Sequence, residues 1–144
     1  MNEPKYKKIF LSGVIQGSAL GRNIHSQEYR QQIRAILQEA MPGSEVYDPF
    51  DGHEYSIDYD DEQGKQTFFH HVKMVQESDL VIAYLPHASL GTAIEIWESY
   101  QRGIPVWIIS PMSTNWVVRF CSNKVFADLD SFGEYLKSEF VNAE

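Results

Sequence analysis

Three short apolar runs, at residues 9–11, 80–85 and 106–109, lack the apolar/polar alternation of a strand with one wet face. Runs of this kind read as strands buried on both faces, and such strands need helices above and below them. Helical periodicity supplies the helices. Tyr29, Ile33, Ile36, Leu37 and Ala40 recur near 3.6-residue spacing, as do Phe68, Val72 and Val75, then Leu90, Ile94 and Trp97, and finally Leu129, Phe132, Leu136 and Phe140. With Glu45–Tyr47 as a second strand, Lys124–Phe126 as a fifth and a short helix near residues 115–121, strand and helix alternate along the chain. The pattern predicts one doubly wound α/β domain over residues 1–144. Its sheet should be mostly parallel and five-stranded, flavodoxin-like in the order 2-1-3-4-5, with helices on both faces.

Composition narrows the function. The chain has 144 residues, 43% hydrophobic and 22% charged, which is ordinary globular usage and too apolar for a disordered segment. Its net charge of −8 opposes the attraction to phosphate backbones on which long nucleic-acid binding depends. No run of apolar residues is long enough to span a membrane, and the apolar stretch after Lys8 is too short for a signal peptide. A single cysteine, Cys121, permits no internal bridge and points to a reducing compartment, so a cytoplasmic protein is expected. The acidic run Asp58, Asp60, Asp61 and Glu62 lacks the spacing of a calcium loop and reads as a solvated loop. No metal or cofactor is expected.

Two connections exceed the usual length, residues 13–25 after the first strand and 48–65 after the second. Both leave the carboxyl ends of their strands, where open parallel sheets bind ligands at the switch in strand order. The glycines of the first connection, Gly13, Gly17 and Gly21, fit neither a dinucleotide nor a P-loop motif. They either let backbone approach a ligand or simply permit turns. The segment from Ser89 to Glu95 says more. It joins a buried strand to a helix, sets Ser89 and the N–H groups of Gly91 and Thr92 toward an anion, and places Glu95 near the helix N-terminus. With Ile94 and Trp97 turned to the core, Glu95 falls on a face shared with Gly91 and Glu98. It is then an ionised carboxylate suited to attack, or a solvated glutamate that favours the helix dipole.

The residues Ser78-Asp79-Leu80-Val81-Ile82-Ala83, Ser89-Leu90-Gly91 with Glu95 six positions after the serine, and Gly103-Ile104-Pro105-Val106 resemble the nucleoside 2-deoxyribosyltransferase superfamily. The resemblance is strongest to its branch of 2′-deoxynucleoside 5′-monophosphate N-glycosidases. Ile9-Phe10-Leu11-Ser12-Gly13 with Gly17 is similar to that family's first strand and loop, and Asp48-Pro49 to its second-strand exit. The resemblance implies that Glu95 attacks the anomeric carbon, expels a base, and leaves a glycosyl ester for water or a second base to resolve. It also implies that Ser89 serves a 5′-phosphate.

Two positions depart from the family. His71 stands where a second catalytic carboxylate is expected, and it is either a general acid toward the leaving base or a packing histidine beside His70. Val14 replaces a phosphate-binding serine, which leaves Ser12 or Ser18 to take that part. Substrate contacts are therefore expected from Ser12, Gly13, Gly17, Ser18, Asp48, Ser89, Gly91 and Thr92, while His53 either reaches substrate or is a loop residue. Asn115 and Trp116 lie in a segment that family members use across a subunit interface, so a homodimer or higher homo-oligomer is expected. The leading expectation is an N-glycosidase acting on a small nucleotide. Its rivals are a base-exchanging transferase and a catalytically silent nucleotide sensor.

Overall fold

The computed structural model describes residues 3–15 and 26–142. Five strands, β1 (Lys8–Gly13), β2 (Glu45–Tyr47), β3 (Leu80–Tyr84), β4 (Val106–Ile109) and β5 (Lys124–Phe126), form one sheet. Its order is β2-β1-β3-β4-β5, and every pairing is parallel. The helices are α1 (Glu28–Ala40), α2 (Asp61–Gln76), α3 (Leu90–Gln101), α4 (Trp116–Phe120) and α5 (Leu129–Leu136), the last continuing into a wider turn at Lys137–Val141. Among the described residues no helix is long and apolar enough to cross a membrane.

Alternate residues of each strand point to opposite faces, so two cores form. Ile9 and Leu11 join Ile33 and Leu37 of α1 and Phe132 and Leu136 of α5 on one side, with Trp107 buried among them. Phe10 packs with Val75 of α2 and Val81 on the other side, where Ala83 and Ile108 meet Ile96 of α3. Ser12, two residues after Phe10, faces this second side, and the parallel register pairs it with Ala83.

The second connection is shorter than expected, because α2 starts at Asp61. Asp60 caps it, its carboxylate accepting from the Gln63 N–H at 2.8 Å, and Asp61 and Glu62 sit in the positive first turn. Half of the acidic run is thus helix rather than loop, and among the described residues no group of His, Cys, Asp or Glu is arranged to hold a metal ion. Asp79 accepts hydrogen bonds from the Lys7 and Lys8 N–H groups and fixes the entry to β1.

The outward face of α3 departs from the sequence expectation. Leu90, Ile94 and Trp97 are exposed, at 84%, 44% and 53%, while Thr92, Ile96 and Ser99 are buried. Apolar periodicity marked a stripe that this chain does not bury in itself, and the packed stripe is partly polar.

Candidate active site

A cleft opens where the carboxyl ends of β1 and β3 meet the amino end of α3. Gly13, Arg30, Pro49, His71, Ser89, Gly91, Thr92 and Glu95 are among its lining residues. It lies at the switch in strand order, with β2 on one side of β1 and β3 on the other.

Glu95 enters from the second turn of α3, lines the cleft and reaches Ser12 on β1. Ser12 Oγ donates a 2.6 Å hydrogen bond to its Oε1. The side chain is only partly open to the cleft, and desolvation pushes its pKa up to about 7 against the opposing pull of the Ser12 hydrogen bond and the Arg30 charge. Burial therefore outweighs the Ser12 hydrogen bond and the Arg30 charge, and Glu95 is not the freely ionised glutamate that its place near the helix amino end suggested.

Arg30 supplies the buried positive charge. It is 2% exposed, pairs with Asp48 through Nη1 at 2.8 Å, and donates from Nη2 to the Gly13 carbonyl and from Nε to Gln27. Asp48 also accepts from the Phe50 N–H and draws the exposed Arg34 to 3.7 Å. Asp48 therefore holds Arg30 and the β2 exit in place and does not itself line the cleft.

Across the cleft, His71 on α2 packs edge-on against Tyr47 and lies 5.4 Å from the His53 ring, centroid to centroid. Its Nε2 is buried without a partner among the described residues. Desolvation, then the neighbouring His53, His70 and Arg30, lowers its pKa to about 4. The imidazole is neutral at pH 7, which corrects the expectation of an imidazolium ready to give up a proton. His53 is committed to Tyr59, its Nδ1 lying 2.7 Å from the hydroxyl.

Residues 15–134 match the sequence model of the nucleoside 2-deoxyribosyltransferase family. The chain belongs to this family. It is a family of enzymes, and the fold agrees. A 2-deoxyribosyltransferase from Bacillus psychrosaccharolyticus superposes with a TM-score of 0.64 at 19% identity, over 89% of this chain and 91% of that one. A conserved protein from Enterococcus faecalis V583 gives 0.62 at 19% identity, over 92% and 98%. A CMP N-glycosidase from Clostridium botulinum gives 0.56 at 18% identity, over 92% and 98%. At these identities the likeness is one of fold. No match is found among curated proteins.

The residues expected from sequence divide in this family member as follows. Glu95, His71, Gly13, Ser89, Gly91 and Thr92 converge on the cleft. Ser12 is wholly buried and committed to Glu95, so it is not free to bind phosphate as expected. Gly17 and Ser18 lie outside the described residues. Asn115 is exposed and caps α4, accepting from the Val117 and Val118 N–H groups, and it is not part of this cleft. Arg30 was missed. A signal existed, since an arginine between Tyr29 and Ile33 sits on the apolar stripe of α1, where an unpaired charge is not tolerated.

Proposed function

We propose that this protein is an N-glycosidase cleaving the base–sugar bond of a nucleoside 5′-monophosphate, with Glu95 as nucleophile. One observation carries the reading: a partly enclosed carboxyl, held by Ser12 at 2.6 Å, opens on a cleft whose rim is the amino end of α3. In this reading the Gly91 N–H and the Ser89 hydroxyl, whose oxygen already accepts from the Thr92 N–H at 3.3 Å, donate to the phosphate. In its ionised form Glu95 bonds to C1′ as the C1′–N bond breaks. Water then attacks C1′, releasing the sugar 5-phosphate and regenerating the carboxylate. The departing base takes its proton from water, and His71, neutral above about pH 4, serves it as a hydrogen-bond partner and not as a stored acid.

The exposed residues Leu90, Ile94 and Trp97 of α3 continue onto Phe68 and Phe69 of α2, and Phe68, Leu90 and Ile94 also line the cleft. A second copy of the chain covering this surface would close the cleft against water, which supports the homo-oligomer reading.

The test is a panel of nucleosides and 5′-monophosphates, with free bases resolved by chromatography. Base released from monophosphates without an added acceptor supports hydrolysis. Release only when a second base is supplied points to the transferase reading, and no release from any substrate contradicts both.

A further inference from the structure

One side chain in the cleft is used neither by the fold nor by the attack described above. Thr92 is 1% exposed, and its Oγ1 has no hydrogen-bond partner among the described residues. Its backbone N–H already donates to Ser89 Oγ at 3.3 Å, so capping of α3 does not involve the hydroxyl. A valine has the same branched shape and would fill the position without burying an unpaired polar atom, which carries an energetic cost. The fold alone gives no reason for the hydroxyl.

Position supplies a reason. Thr92 precedes Glu95 by three residues on α3, so the two share a face, with Thr92 about 4.5 Å nearer the helix amino end. In-line attack on a β-nucleotide requires the carboxylate on the ring face opposite the base. On a furanose that is the face bearing the 2′ and 3′ hydroxyls. A residue beside Glu95, and between it and the phosphate end of the cleft, meets this face of the sugar.

We propose that Thr92 Oγ1 pairs with a hydroxyl on the face of the furanose ring that Glu95 attacks, which makes Thr92 a sugar-specificity residue. The inference rests on the glycosidase reading for the placement of the ring. A site built to pair with a hydroxyl discriminates against the analogue lacking it, because the protein's own polar group is then left unpaired.

The experiment measures calorimetric binding of ribose 5-phosphate, 2-deoxyribose 5-phosphate and 3-deoxyribose 5-phosphate to the wild type, Thr92→Val and Thr92→Ser. Thermal melts of the three free proteins are recorded alongside. The wild type is expected to bind ribose 5-phosphate about 10-fold more tightly than one of the two deoxy sugars, and that arm names the hydroxyl. Thr92→Val should lose the preference yet melt at the same or a higher temperature, since it removes an unpaired buried group, and Thr92→Ser should keep the preference.

Equal binding or no binding of all three sugars by the wild type overturns the inference. So does a preference that survives in Thr92→Val, a preference lost in Thr92→Ser, or a lower melting temperature for the valine variant. If the sugar preference behaves as expected but no nucleotide releases a base, the glycosidase reading fails while the role of Thr92 stands. Base release without a Thr92-dependent preference removes the inference alone.

Discussion

Ser12 and Glu95 are 83 residues apart in sequence, yet the Ser12 hydroxyl donates to the Glu95 carboxyl at 2.6 Å where β1 and α3 meet. The bond opposes the desolvation that raises the Glu95 pKa to about 7, so Ser12 helps to set the pH at which the carboxylate appears. Base release should therefore rise with pH to a midpoint near 7. Because His71 is already neutral above about pH 4, it contributes no alkaline fall, and the bell-shaped profile expected from an imidazolium acid is replaced by a single rising limb. In Ser12→Ala, loss of a hydrogen bond to a charged group should move the midpoint up by about one unit. The rate at pH 7, the wild-type midpoint, should then fall roughly 5-fold and largely recover by pH 9. A pH–rate profile of the variant with an unmoved midpoint would contradict this.

Stability should depend on pH through the same two groups, with opposite signs. The Glu95 pKa is raised from 4.5 to about 7, so the folded state holds the proton more tightly and stability falls as pH rises across that interval. The His71 pKa is lowered from 6.5 to about 4, so stability falls as pH drops across that interval. The slopes oppose each other between about pH 4.5 and 6.5. Denaturant titrations should show Glu95→Gln gaining on the order of 2 kcal/mol over wild type at pH 8 and little at pH 4.5. His71→Gln should lose the acid sensitivity. Equal gains for Glu95→Gln at both pH values would contradict the raised pKa.

Gly13 ends β1 against the ring of Tyr29, and a Cβ there would clash with the Tyr29 hydroxyl and lie 2.7 Å from its Cε2. That ring cannot swing away, since it stacks on Tyr84 at 4.3 Å and its hydroxyl donates to the Val14 carbonyl. Gly13→Ala should cost about 1–3 kcal/mol, the usual toll of overpacking, as read from the unfolding midpoint in urea. A change below about 0.5 kcal/mol would mean that the β1 exit is looser than described.

Arg30 and Asp48 form a buried pair, with side chains 3% and 5% exposed. Removing one partner strands the other charge, so Arg30→Met and Asp48→Asn should each destabilise by about 3–5 kcal/mol. The double variant should cost clearly less than the sum of the two. Arg30→Met should also shift the rising limb of activity to higher pH, because Arg30 is one of the groups that favour ionised Glu95. Additive losses in the double variant would show that the two residues do not act as a pair.

Much of the fold was legible because its strands are buried on both faces, and sequence states that condition directly as unbroken apolar runs such as Leu80-Val81-Ile82. Alternation of strand and helix implied a mostly parallel sheet, and the order came only with the flavodoxin-like arrangement, since the same alternation serves other doubly wound orders. The site was legible only in part. Glu95 stood out through its spacing from Ser89, but its environment did not, because the groups that act on its charge, Ser12 on β1 and Arg30 on α1, are distant in sequence. The face of α3 was misread because an apolar stripe reports only that a surface avoids water. Leu90, Ile94 and Trp97 remain exposed on this chain, and the packed stripe carries Thr92 and Ser99 instead. The pairing of Arg30 with Asp48 depends on the bend from β2 to its exit loop, which no local pattern encodes.

The most direct test of Glu95 as nucleophile is mass spectrometry of the protein quenched in acid during turnover of a nucleotide shown to release its base. Peptide mapping should place a sugar-phosphate adduct on Glu95, and Glu95→Gln, folded by circular dichroism, should form no adduct and lose several orders of magnitude of activity. Steady base release by Glu95→Gln at more than about a tenth of the wild-type rate, with no adduct on the wild-type peptide, would contradict the assignment.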